Sequence, residues 1–132
     1  MAWWSELDQF PFGDGPKLAD ELLALILAGL KTATCWSATE GEKGTQVGKR
    51  WVVLDGAGSP RAVLETIELT KRRFNEVDAS FAYEEGEDDR TLQSWRAAHE
   101  QYFTRNGCYA PDMALYCERF RLVETIARGT RG

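Results

Sequence analysis

The sequence predicts an α+β fold built round a small curved sheet. Three observations carry that expectation: an amphipathic helix near the N-terminus, two apolar strands joined by a Gly/Ser/Pro turn in the middle, and a second helix followed by an alternating strand. Few strand–helix–strand repeats of the kind that build a parallel sheet are visible, so the helices are expected beside the sheet.

Taken in order, Asp14-Gly15-Pro16 marks a helix start, with Pro16 at the first helical position where its missing N–H costs nothing. From Lys17 to Ala28, Leu18, Leu22, Leu25 and Ile26 recur at helical spacing, and Gly29 suits the left-handed residue that closes a helix. Thr32 to Trp36 has strand composition, and the polar run SATEGEKGTQVGKR after it reads as a surface loop. RWVVLD is a buried strand, GAGSP its turn and RAVLETIELT the return strand of a hairpin. A basic cluster, Lys71-Arg72-Arg73-Phe74, precedes the acidic NEVDASFAYEEGEDD, a short helix running into a loop. Leu92, Trp95, His99, Tyr102 and Phe103 then share one face of a second helix, capped by Thr91 or Asp89 and ended near Gly107. MALYCERFRLV is the terminal strand, with Leu115, Cys117 and Arg119 on one side and Tyr116, Glu118 and Phe120 on the other. The tail after Ile126 is expected to fray.

The 132 residues are expected to form a single domain. No apolar run approaches the roughly 18 residues that a membrane span needs, and MAWWSELDQF lacks the basic and apolar segments of a secretory signal, so the expected location is the cytoplasm. Net charge is −5, from 16 basic and 21 acidic residues, which argues against tight, sequence-blind binding to a long polyanion. A small pocket or a short single strand of nucleic acid remains compatible with it. Cys35, Cys108 and Cys117 lack metal-knuckle spacing and read as free thiols. With His99 as the single histidine, a His-rich metal site is disfavoured, and no metal or cofactor is expected.

The stretch LAGLKTATCW places an amine and two hydroxyls at the exit of an apolar helix. Taken alone, Lys31 there complements the helix dipole and the threonines populate a strand. The order FGDGP…LADELLALILAGLKTAT, VGKRWVVLDGAGSPRAVLETIEL, FNEVDASFAYEEGEDDRTLQSWRAAHEQYF and CERFRLV, however, resembles the ASCH family (activating signal cointegrator homology), a branch of the PUA-like fold. The resemblance covers about residues 12–123 and implies a small β-barrel with flanking helices, and a link to RNA or modified nucleosides. Some bacterial members of that family are amidohydrolases that deacylate N4-acetylcytidine and related N4-acylated cytosines with a lysine, a threonine and a glutamate. The G-x-K-T-x-T segment of those enzymes is matched by Gly29 to Thr34, which implies catalytic roles for Lys31 and Thr34. The family glutamate aligns most naturally with Glu85, with Glu84 and Glu87 as adjacent alternatives. Cleavage of single-stranded RNA is a second activity associated with a relative, and single-stranded RNA is the second partner class beside a small nucleoside.

Amide cleavage needs a nucleophile, a base, a donor to the oxyanion and a proton for the departing amine. The expected roles are Thr34 as nucleophile, Lys31 as general base and Glu85 as orienter or proton donor; acylation of Lys31, or direct attack by water with Thr34 binding substrate, are the alternatives. A basic role requires that burial lower the Lys31 pKa. Residues i and i+3 of a regular strand face opposite ways, so convergence of Lys31 and Thr34 requires an irregular helix exit. Replacing Lys31 with Ala is expected to abolish turnover with the thermal midpoint nearly intact. Thr32, Trp36, Tyr83 and Arg119 are the expected substrate contacts, with Trp36, Tyr83 or Phe81 stacking on a base and Arg119 either pairing with an acidic residue or donating to the substrate. His99 reads as a packed or hydrogen-bonded core residue. Lys49, Arg50, Lys71, Arg72 and Arg73 form either a phosphate-contacting rim or a solvated hairpin edge.

Overall fold

The computed structural model describes residues 2–13, 15–41 and 43–127. Helix α1 (Pro16–Leu27) starts with Pro16 in its first turn. Asp14, part of the expected start signal, lies outside the described residues, as do residues 128–132 of the tail. The buried stripe of α1 is Ala19, Leu22, Leu23 and Ile26, so the apolar face is rotated from the one expected and Leu18 is exposed. At its end Gly29 takes φ +78°, and the Leu25 carbonyl accepts from both Leu30 and Lys31 N–H, at 2.9 and 3.1 Å. That exit through a left-handed glycine turns the chain out of the helix before a strand begins.

Five strands form one mixed sheet: β1 (Gln9–Pro11), β2 (Ala33–Ser37), β3 (Arg50–Leu54), β4 (Pro60–Arg73) and β5 (Ala114–Thr125), in the order β1-β3-β4-β5-β2. β1 runs parallel to β3, and every other pair is antiparallel. The expected hairpin is β3–β4, but β4 does not stop at Thr70. Its basic end continues the ladder, Lys71 opposite Tyr116 and Arg73 opposite Ala114, and the register shifts between Val63 and Leu64 and again between Thr66 and Glu68. The sheet is open rather than a closed barrel, with β1 and β2 as its edges.

Each face of the sheet carries its own core. Ala33, Leu115 and Cys117 pack with Phe74, Phe81, Trp95 and Phe103 under helices α2 (Ala79–Glu85) and α3 (Leu92–Arg105). Trp51, Val53, Leu64 and Phe120 pack with Leu23 and Ile26 of α1. The alternation of Cys117 and Phe120 between the two cores follows the two-residue period of β5. Asp78 caps α2 by accepting from Phe81 N–H, and Thr91 caps α3 by accepting from Ser94 N–H. The end of α2 docks on the exit of α1: Thr32 N–H donates to the Glu84 carbonyl at 2.7 Å. Gly86 closes α2 at φ +72°, where an added Cβ would sit 2.2 Å from the Leu30 carbonyl oxygen. This backbone contact brings Lys31 and Glu85, 54 residues apart, to one place.

Candidate active site

Both sheet edges contribute to a single cavity of about 610 Å³. Its aromatic wall includes Phe10, Phe12, Trp36, Trp51 and Tyr102, and its polar groups include Lys31, Thr34, Glu85, Glu87, His99 and Glu118. Phe10 stacks on Trp51 with centroids 4.5 Å apart, and Trp36 is pinned by donating its indole N–H to the Gly41 carbonyl at 2.7 Å. A flat apolar wall with a few convergent polar groups is the usual form of a small-molecule site.

Lys31 is 1% exposed, and its Nζ donates to Glu87 Oε2 and the Ala33 carbonyl at 2.8 Å, to Glu85 Oε1 at 3.1 Å and to the Glu85 carbonyl at 3.2 Å. Burial alone pulls its pKa down, but the Glu85 and Glu87 carboxylates outweigh burial and leave it above the ordinary value. Glu85 is equally buried. Burial pushes its pKa up, while the charge of Lys31 and the hydrogen bond from Trp95 carry it below the ordinary value. The two groups therefore form a charged pair. The expectation of a depressed amine fails because sequence spacing reveals the apolar neighbours of Lys31 but not the two carboxylates folded onto it. The buried pair also changes the expectation for Lys31→Ala: removing one partner leaves the other charge stranded, at an expected cost of about 3–5 kcal/mol.

Glu85 is held from both sides. Its Oε2 accepts from the Trp95 indole N–H at 2.8 Å and lies 3.6 Å from His99 Nε2. His99 stacks on Trp95, centroids 4.2 Å apart, and its Nδ1 donates to the Trp95 carbonyl at 2.9 Å. It is thus hydrogen-bonded within the core and also faces the cavity. Cys35, Glu85 and His99 bring ligand atoms within 4.8 Å of one another and are the residues that would hold a metal. Both Glu85 oxygens are engaged, however, and Lys31 already supplies the cation; burial also holds the Cys35 thiol well above its ordinary pKa, disfavouring the thiolate a metal requires. The same burial pushes Cys117 up to about 12.

Of the residues expected at the site, Lys31, Thr34, Trp36 and Glu85 line the cavity; Thr32, Tyr83 and Arg119 are not among its lining residues. Thr32 donates its hydroxyl to the Glu84 carbonyl at 3.4 Å, Tyr83 is exposed under the Arg90 guanidinium at 3.6 Å, and Arg119 is pinned between Glu84 at 2.8 Å and Glu68 at 2.6 Å. Phe81, on the inner face of α2, is buried in the core. Glu84 turns to Arg119, whereas Glu85 and Glu87 both reach Lys31. The basic rim is largely neutralised: Lys49 pairs with Asp8, Arg50 with Glu65, and Arg72 with Glu68 and Asp78.

Sequence reasoning passed over Glu118. It sits directly opposite Thr34 in the β2–β5 register, lines the same cavity and is 3% exposed. The sequence signal that could have found it is an acidic residue sharing a strand face with Tyr116 and Phe120.

The structure is an α+β fold on an open five-stranded sheet, with a charged pair sunk into the wall of an aromatic cavity. A family model for the ASCH domain matches residues 8–124. Two solved structures are similar. An ASCH domain from Lactobacillus crispatus is 32% identical with a TM-score of 0.79, over 88% of this chain and 80% of that one. The protein EF3133 from Enterococcus faecalis is 31% identical with a TM-score of 0.76, over 89% of this chain and 77% of that one. No curated protein matches the chain. The chain belongs to the ASCH domain family, a PUA-like family to which RNA-binding and hydrolase roles are attributed. Among the described residues no helix is long and apolar enough to cross a membrane.

Proposed function

We propose that the protein is an amidohydrolase that removes the acyl group from N4-acylated cytosine nucleosides such as N4-acetylcytidine. The observation that carries this reading is the buried Lys31–Glu85 pair in the wall of an aromatic cavity that Thr34 also lines. The Thr34 hydroxyl gives its proton to a carboxylate and attacks the acyl carbon, the bond to the cytosine amine breaks, the amine leaves with that same proton handed on by the carboxylate, and water then releases the acid from the threonine ester. Lys31, as a cation, stabilises the oxyanion that develops on the acyl oxygen. A resting ammonium cannot take the hydroxyl proton. Glu87, partly exposed and bonded to Lys31 through Oε2, is the carboxylate we assign to that step, while Glu85 fixes the ammonium in place.

The competing reading, single-strand RNA binding or cleavage, needs cations free for phosphates. The ion-paired rim and the net charge of −5 support the nucleoside reading instead. The test is ultraviolet monitoring of N4-acetylcytidine conversion to cytidine beside a gel assay on labelled single-stranded RNA. Nucleoside turnover with intact RNA is expected; RNA cleavage without nucleoside turnover overturns the proposal.

A further inference from the structure

Four glutamates, Glu40, Glu85, Glu87 and Glu118, line the cavity, and the last three, beside Lys31 and Thr34, are not equivalent. Glu85 has both oxygens engaged, one by Lys31 and one by Trp95. Glu87 is bonded to Lys31. Glu118 forms no ion pair among the described residues: its Oε2 accepts from the Thr66 hydroxyl at 2.6 Å. That neutral donor holds the carboxyl in the cavity whose aromatic wall Trp51 shares with Phe10 and Phe12. Burial drives its pKa above the ordinary value, against the pull of Thr66, Trp51 and the Lys31 charge.

We propose that Glu118 reads the base, its carboxyl presenting an oxygen acceptor to the exocyclic N–H and a hydroxyl donor to the adjacent ring nitrogen of an aminopyrimidine. The inference rests on the nucleoside reading above and names the feature of the substrate that the site selects. An N4-acylated cytosine keeps one N–H beside its ring nitrogen N3, so acylation leaves this edge intact. A carboxyl group offers one donor and one acceptor side by side. Whichever partner holds the shared proton, the pair keeps the same two hydrogen bonds. A site that holds such an edge in a buried place rejects an analogue lacking one of the atoms, because the group left facing it is then unpaired. The register adds a consequence. Thr34 is the cross-strand neighbour of Glu118, with Cβ atoms about 5 Å apart in such pairs. Anchoring the amidine edge at Glu118 therefore sets the acyl group next to the threonine hydroxyl.

The experiment compares calorimetric binding of cytidine and 3-deazacytidine, which replaces the ring nitrogen with C–H, to the wild-type chain, Glu118→Met and Glu118→Gln. Wild type is expected to prefer cytidine by about tenfold, the equivalent of one buried hydrogen bond. Glu118→Met, similar in bulk but without donor or acceptor, is expected to lose the preference, and Glu118→Gln, which keeps one of each, to retain it. Equal binding of the two nucleosides by wild type, or an unchanged preference in Glu118→Met, overturns the inference. Hydrolysis is read separately on the same samples. A Glu118-dependent preference without deacylation supports this inference and overturns the amidohydrolase; deacylation without the preference does the reverse.

Discussion

Lys31 is a charged residue that the fold has swallowed whole, and its consequences are measurable without any substrate. Lys31→Ala leaves Glu85 without its cation in a place that is 1% exposed, so its thermal midpoint is expected to fall markedly, by the equivalent of about 3–5 kcal/mol. A midpoint within a degree or two of wild type would mean that the pair is not buried. Stability also follows pH in a definite sense. The folded pKa of Lys31 lies above 10.5, so its contribution is present below that value and is lost as pH rises through the folded pKa. That of Glu85 lies below 4.5, so its contribution is present above that value and is lost as pH falls through the folded pKa. Urea titrations across pH are therefore expected to show the Lys31–Glu85 contribution intact from about pH 5 to 10, and its absence in Lys31→Met. Glu118 acts in the opposite sense to Glu85. Its raised pKa means the folded chain holds that proton more tightly than the unfolded one, so it weakens the fold as pH rises above 4.5. Glu118→Gln is expected to unfold at a higher temperature than wild type at pH 7, and a lower midpoint there would contradict the assignment.

The site exists because two elements meet through their backbones. Gly86 ends α2 in the left-handed region with the Leu30 carbonyl where a Cβ would be. Gly86→Ala must strain that turn by at least about 1 kcal/mol and also push α2 off the exit of α1. The expected result is lost turnover together with a lowered thermal midpoint, whereas Gly107→Ala, with open space around its Cβ, costs only the strain of its left-handed backbone. Wild-type turnover in Gly86→Ala would show that this contact does not position the pair. Much at this level was legible in the sequence. α1 and α3 announced themselves by period and caps, the β3–β4 hairpin by its turn, and β5 by alternation. β1 was not legible, because three exposed residues, Gln9, Phe10 and Pro11, carry no period and are held by pairing with β3 and by the stack of Phe10 on Trp51. The basic end of β4 looked like a break, since Lys71 and Arg73 are exposed and their pairing with β5 is a long-range fact.

For the chain as a whole, the resemblance named the family and the G-x-K-T-x-T segment led to Lys31 and Thr34. It did not reveal that the sheet stays open, or that both of its edges line the cavity. Nor did local sequence distinguish Tyr83, which the fold leaves exposed under Arg90, and Arg119, which it ties to Glu84 and Glu68, from Trp36, which lines the cavity. The overall charge of −5 and the paired rim together imply that ligands bind with little dependence on salt. Cytidine affinity is expected to change less than about threefold between 50 and 200 mM salt, and a steep decline would point to phosphate contacts. The most direct test is the ultraviolet-monitored hydrolysis of N4-acetylcytidine by wild type and Thr34→Val, a substitution that keeps shape and removes the hydroxyl. Wild type is expected to release cytidine, and Thr34→Val to melt near the wild-type temperature with turnover reduced by at least about a hundredfold. A wild-type protein that leaves N4-acetylcytidine intact, or a Thr34→Val variant that cleaves it at the wild-type rate, would contradict the account.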